Sequence, residues 1–97
     1  MTGFVLSPAA QADIADIWDY TRARWGEAQA ERYVLAIRDA CEQLAAGTRT
    51  SRPADDIRAG YRRAPVGSHI LFFRHADAGP LNIIRVLHER MGLRDHL

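Results

Sequence analysis

The sequence contains no lysine: all 13 basic residues are arginine, set against 12 acidic residues for a formal net charge of +1. Chemistry that runs through a lysine amine is therefore excluded. The flat, permanently charged guanidinium remains, and it binds carboxylate or phosphate in two places. A net charge so close to zero gives no global field to hold a nucleic acid, so any electrostatic function is local. The single cysteine, Cys41, excludes an internal disulfide and with it a small secreted scaffold stapled by bridges, which points to a cytoplasmic setting. Long apolar runs are also missing: Ile70-Leu71-Phe72-Phe73 is the longest strongly apolar one, far short of the roughly 18 residues of a membrane span. No basic region precedes Phe4-Val5-Leu6, so no export signal is read. Phosphate loops, dinucleotide fingerprints and G-x-S-x-G elbows do not occur.

What is present is a chain of 97 residues, 47% hydrophobic, read as one domain spanning 1–97 with a small core. Its charge is divided. Residues 1–46 hold four arginines against seven acids, whereas residues 47–97 hold nine arginines against five. An acidic half thus precedes a basic one.

Phe4-Val5-Leu6 reads as a strand ended by Ser7-Pro8, with Ser7 as N-cap and Pro8 at the first helical position. A helix over about 8–24 follows, its apolar stripe being Ile14, Ile17, Trp18, Thr21 and Trp25 at 3.6-residue spacing. Asp13, Asp16 and Asp19 fall mostly off that stripe and early, where the helix dipole favours anions. Gly26 suits the end of this helix, and Glu27 opens a second one that lasts until Gly47. Its stripe is Ala30, Tyr33, Val34, Ile37, Cys41 and Leu44. So short a link makes the two helices an antiparallel hairpin, and it makes Cys41 a small core residue.

From Gly47 to Gly60 the composition turns to Thr, Arg, Ser, Pro and Asp, a loop long enough to have something to contact. Strands follow over 61–66, 69–75 and 81–88, with Pro65 marking the first as an edge strand. The order strand, helix, helix, strand, strand, strand gives an α+β fold, a β-α-α-β-β-β chain with the hairpin on one face of an antiparallel sheet. Strict alternation would point Leu81, Ile83, Arg85 and Leu87 one way and Asn82, Ile84, Val86 and His88 the other, leaving both faces apolar. One hairpin covers one face. The other is covered either by the 47–60 loop and the tail or by a protein partner.

His69, His75 and His88 lack metal-ligand spacing and accompanying carboxylates, so no metal site is read. The basic half offers Arg62, Arg63, Arg74, Arg85, Arg90 and Arg94, with His88 among them. Cleavage of RNA through its 2′-hydroxyl needs a base, an acid and cations for the crowded phosphate. Arginines supply the cations, but only one well-placed proton carrier is evident. The same residues fit solvated charges, or a grip on an acidic partner, and Arg74 or Arg85 could pin the loop through Asp55 or Asp56.

Four segments taken together resemble the ParE toxins of the RelE/ParE superfamily: IWDYTRARWGEAQAERY at 17–33, RPADDIR at 52–58 followed by Gly60, HILFFR at 69–74 and IIRVLHERM at 83–91. The likeness covers nearly the whole chain. It implies the toxin of a type II toxin–antitoxin pair, acting by binding DNA gyrase without cofactor or catalytic residues of its own, and neutralised by a ParD-type antitoxin whose C-terminal segment wraps the toxin. It makes Arg74, Arg85, His88, Arg90 and Met91 candidates for the toxic surface; Ile14, Trp18 and Tyr20 are usually core in such hairpins but offer a helix edge to the antitoxin, and Leu71 and Phe73 belong either to the core or to the antitoxin groove. Direct specific DNA binding and membrane contact are not expected. The alternatives are a RelE-like ribosome-dependent mRNA endonuclease, against which the missing lysines count, and an inactive relative that still binds antitoxin. In the tail, Gly92 stands where the family commonly has an acid, and Asp95 where a basic residue is usual.

Overall fold

A computed structural model describes residues 3–91 and 97. The elements are β1 (Phe4–Leu6), α1 (Pro8–Trp25), α2 (Glu27–Ala46), β2 (Arg52–Pro53), β3 (Arg62–Val66), β4 (His69–Arg74) and β5 (Leu81–His88). They form two helices on a five-stranded sheet of order β1-β5-β4-β3-β2. No helix among the described residues is long and apolar enough to cross a membrane.

Local chemistry sets the helix ends. Ser7 Oγ accepts the Ala10 N–H at 3.0 Å, and its own hydroxyl donates to the Ile84 carbonyl at 2.7 Å, so one side chain caps α1 and ties it to β5. Gly26, at φ +93°, separates the helices while its N–H still bonds the Arg22 carbonyl. The end of α2 turns through left-handed Gly47, with the Thr48 N–H returning to the Gln43 carbonyl.

Two features of the sheet depart from the sequence reading. First, β1 pairs parallel to β5, Phe4 opposite Leu81, so the sheet is mixed rather than wholly antiparallel. After the hairpin the chain lays down β2 at the far edge and returns through β3 and β4, so the last strand, β5, lies beside β1 and runs the same way. Second, the 47–60 segment is not merely a loop: Arg52–Pro53 pairs with Arg62 and Arg63 of β3 as a fifth strand.

The main core lies between the hairpin and one sheet face, where Ile17, Ile37, Cys41 and Leu44 meet Leu71, Phe73, Ile83 and Val86. The register of β4 on β5 slips at Phe72/Phe73, because Phe72 faces Arg85 while Phe73 faces Ile83. Ile84 is the extra residue of this bulge. Alternation therefore fails there, and Leu81, Ile83 and Val86 all enter the main core while Leu87 joins Phe72 on the other side. On that second face Ala54, brought over by the loop, is fully buried against Phe72 and Leu87, with Ile57, Tyr61, Ile70 and Leu97 around them. The loop, not a separate protein, covers this patch. Arg58 completes the cover by donating to the Leu97 carbonyl at 3.0 Å.

The β3–β4 turn depends on one contact. Gly67 has φ +56°, and a Cβ there would lie 2.6 Å from the Tyr33 hydroxyl. Gly60, at φ +83°, has open space around it. Gly67→Ala is therefore expected to cost about 3 kcal/mol, from overpacking added to left-handed strain, and Gly60→Ala only about 1 kcal/mol. Urea denaturation of the two variants checks the difference.

Candidate functional site

Beyond Ile83, β5 outruns its neighbour β1, and α1 crosses the exposed edge. Asp13 on the first turns of α1 meets it there. Its Oδ1 and Oδ2 accept from Arg85 Nη2 at 2.9 Å and Nε at 2.8 Å, and Oδ2 also accepts the Val86 N–H at 2.9 Å. With side chains only 13% and 23% exposed, the two charges are well shielded from water. A two-pronged guanidinium–carboxylate pair of this length is among the stronger hydrogen-bonded contacts in proteins. The Asp13 bond holds the Arg85 guanidinium even further above the pH range in which it could lose its proton. Loop pinning follows different lines: Arg63 pairs with Asp56 at 3.4 Å, and Asp55 accepts the Gly60 N–H at 2.8 Å.

Next to this clamp, between α1 and β5, opens a groove of about 290 Å³. Its apolar wall is Ile17, Tyr20, Val86 and Met91, and its polar rim includes Asp16 and His88. Tyr20 is 61% exposed and Met91 38%, so the groove mouth is apolar and open.

Two histidines, His69 and His88, line the groove. Tyr33 Oη accepts the Ser68 N–H at 3.0 Å, lies 3.5 Å from the Val66 carbonyl and shares a 2.6 Å hydrogen bond with His69 Nδ1, in which the imidazole tautomer decides which group donates. The His69 and His88 rings meet edge to face with centroids 5.3 Å apart, and His88 Nδ1 accepts the Arg90 N–H at 3.1 Å. Burial, and then the neighbouring His88, lower the His69 pKa below 6.5. Burial likewise raises the Tyr33 phenol. Cys41, in the main core, is pushed up to about 11 by burial, which makes it an inert thiol.

The candidate residues are thus redistributed. The groove brings together Tyr20, His88 and Met91, which the sequence had assigned to two different surfaces. Arg85 is tied down by Asp13, while Arg74 ends β4 in an exposed position and Arg90 is exposed beside the groove. Ile14 is partly buried against the main core, and Trp18 is partly buried. Leu71 and Phe73 take the core alternative: they are 0% and 1% exposed, on the sheet face that the hairpin seals. Trp25 also departs from expectation, being 69% exposed because α1 ends there. Arg94 and residues 92–96 lie outside the described residues.

Asp13, Asp16 and His69 were not read as parts of one site. A signal for Asp13 existed. The buried residues of α1 are Ala10, Ile17 and Thr21, and Asp13 lies three after the first and four before the second. The true stripe is rotated from the Ile14-to-Trp25 one toward Asp13, and a carboxylate on a buried stripe calls for a cationic partner.

Comparison with known proteins comes at this point. Residues 4–93 match the family described as ParE toxin of type II toxin-antitoxin system, parDE. The chain is 46% identical over 94 residues to "Toxin ParE1" of Mycobacterium tuberculosis, covering 97% of this chain and 96% of that protein. It is 41% identical over 97 residues to "Toxin ParE1" of Caulobacter vibrioides, covering 100% and 99%. Its fold is similar to that of a chain in the solved structure "Chromosomal ParDE TA system from P. aeruginosa", with a TM-score of 0.75 and 22% identity over 91% of this chain and 96% of that one.

Two outcomes follow from the geometry. Asp13→Ala removes the carboxylate shared by Arg85 and the Val86 N–H, and is expected to cost about 3 kcal/mol, whereas Asp16→Ala on the exposed rim costs under about 0.5 kcal/mol; denaturant midpoints check both. Because the folded state holds His69 neutral and depresses its pKa from 6.5, its contribution is intact above pH 6.5 and lost as the pH falls through the lower folded value. Stability measured from pH 8 to 4.5 is therefore expected to drop on the acid side, and His69→Gln to flatten part of that drop.

Proposed function

The chain belongs to the ParE toxins of type II toxin–antitoxin systems, and from that premise we propose that it inhibits DNA gyrase by binding and is neutralised by a ParD-type antitoxin. The observation that carries this reading is family likeness over residues 4–93, nearly the full chain. The groove supports a binding mode. Its apolar wall and exposed Tyr20 and Met91 suit the buried anchors of a protein interface, where aromatic residues and methionine are enriched. Gyrase contact runs through Met91, His88, Arg90 and the exposed Arg74. The antitoxin fills the same groove along Tyr20 and the partly buried edge of α1 at Ile14 and Trp18, so neutralisation is occupation of the surface the target needs.

An mRNA-cleaving mechanism fits the residues less well. Arg85, the arginine nearest to His88 in sequence on β5, already gives two of its donors to Asp13. Gripping a phosphate with those donors would mean breaking a shielded ion pair, at a cost of a few kcal/mol. There is no lysine to take its place, which leaves only the exposed Arg74 and Arg90 among the arginines singled out above.

The test is supercoiling by purified gyrase with the protein added. Loss of supercoiling with accumulation of cleaved DNA is expected, and Met91→Ala is expected to weaken it about tenfold without unfolding the protein, since Met91 is exposed. Normal supercoiling together with cleavage of ribosome-bound mRNA in a translation extract would establish the RelE-like activity instead.

A further inference from the structure

On the sheet face away from the hairpin, two arginines stand directly opposite each other. Arg63 of β3 pairs with Phe72 of β4, a residue of the second cluster, and Arg52 of β2 pairs with Arg63, so all three share that face. Like charges placed opposite each other across a strand pair repel. One carboxylate answers them: Asp56 stands 3.4 Å from Arg63 Nη2, long for an ion pair of this kind, with the Arg63 and Asp56 side chains 33% and 52% exposed. Arg52 is exposed, and among the described residues its side chain has no hydrogen bond or ion pair. Residues 49–63 hold five arginines against two acids, so charge is concentrated here although the whole chain is near neutral.

These two arginines edge a cleft of about 570 Å³ lined by Thr50, Ser51, Arg52, Arg63, Pro65 and Ile70. It shares no lining residue with the groove between α1 and β5. Two further arginines hold its walls in place. Arg62 donates from Nε to Ser51 Oγ at 2.8 Å and from Nη2 to the Ser51 carbonyl at 3.1 Å, and Arg49 Nη2 donates to the Pro65 carbonyl at 3.1 Å. Because Ser51 Oγ accepts from Arg62, its own proton is left to donate. Two guanidiniums and two hydroxyls thus surround an apolar floor of Pro65 and Ile70.

That set of donors matches an oxyanion, and Arg, Ser and Thr are side chains that hold the phosphates and sugars of a nucleic-acid backbone. The apolar floor suits the sugar between two phosphates. None of the lining residues is aromatic, so the cleft has no platform on which an unpaired base would stack. Backbone contact with a duplex is what remains.

We propose that this cleft binds a phosphate of duplex DNA, without regard to sequence, through Arg52 and Arg63 with Thr50 and Ser51. On the gyrase reading, which supplies only the setting, the duplex is the one the target holds, so the protein grips the enzyme with one face and its DNA with another.

The experiment is titration of a labelled duplex of about 20 base pairs with the full-length protein, over salt from about 20 to about 200 mM. Weak binding that fades with salt is expected. Arg52→Gln and Arg63→Gln should each weaken it several-fold and lower the slope of log affinity against log salt by about one. Asp56→Asn, which frees Arg63, should tighten it about twofold. Arg38→Gln, an equal charge change on the exposed side of α2, should leave it unchanged. No duplex binding at the lowest salt, or an equal loss in Arg38→Gln, overturns the proposal. So does Arg52-dependent binding of polyglutamate or of inorganic phosphate with no binding of the duplex, since the occupant is then an acidic protein or a free anion. Tighter binding of a single strand than of the duplex overturns it as well. Normal supercoiling would sink the gyrase reading and leave this site standing, because duplex binding is read on the protein alone.

Discussion

Asp13 holds the two layers of this protein together at the place where regular sheet pairing stops. One carboxylate satisfies a guanidinium and a backbone N–H from consecutive residues of β5, and it does so from the helix that immediately follows β1. Short β1 would otherwise leave the far half of β5 with bare polar groups under α1, an arrangement that buried backbone does not tolerate. Ser7 performs the same service one step earlier, on the carbonyl of the bulged Ile84. The bulge and the clamp are linked: the extra residue at Ile84 redirects the chain so that Val86 reaches the core beside Ile17 while Arg85 reaches Asp13. The groove begins where this capping by α1 ends.

Most of the architecture was legible in the residues. Ser7-Pro8, Gly26 and Gly47 mark the helix limits through capping and left-handed turns, and these rules are local. The apolar stripe of α2 likewise gave its buried residues Ala30, Ile37, Cys41 and Leu44 directly. What was not legible depends on pairing at a distance. A strand of two residues, Arg52–Pro53, has no periodicity to read, and the parallel placement of β1 is a property of topology. The bulge is invisible to alternation, because every residue from Leu81 to Val86 except Asn82 and Arg85 is apolar and either phase looks acceptable. The same blindness left Leu71 and Phe73 open between core and binding surface, and they fill the core. On α1 the stripe itself was misplaced: Asp13 was read as lying mostly off it, early in the helix where the dipole favours anions, although its spacing from Ala10 and Ile17 put it on the inner face.

The charge division along the chain also changes meaning. The basic half is not a free cationic surface. Arg85, Arg62, Arg58 and Arg49 are each engaged with carboxylate, hydroxyl or carbonyl oxygens of the fold. Arginine suits such roles, since its fork bonds two acceptors at once and never loses its charge. At the α1–β5 groove itself the side chains left for a partner are mainly apolar or aromatic, with Arg90 exposed beside it and Asp16 an acid without an ion pair among the described residues. On the proposed function such a surface serves binding, and antitoxin and target would compete for one small area.

The account stands most directly on that competition. Toxin carrying a fluorophore at an exposed position remote from the groove, saturated with ParD-type antitoxin and then titrated with gyrase, should bind gyrase only as antitoxin is released, with the apparent gyrase affinity falling in proportion to free antitoxin. A stable ternary complex, with gyrase affinity independent of antitoxin concentration, would contradict the claim that one groove serves both.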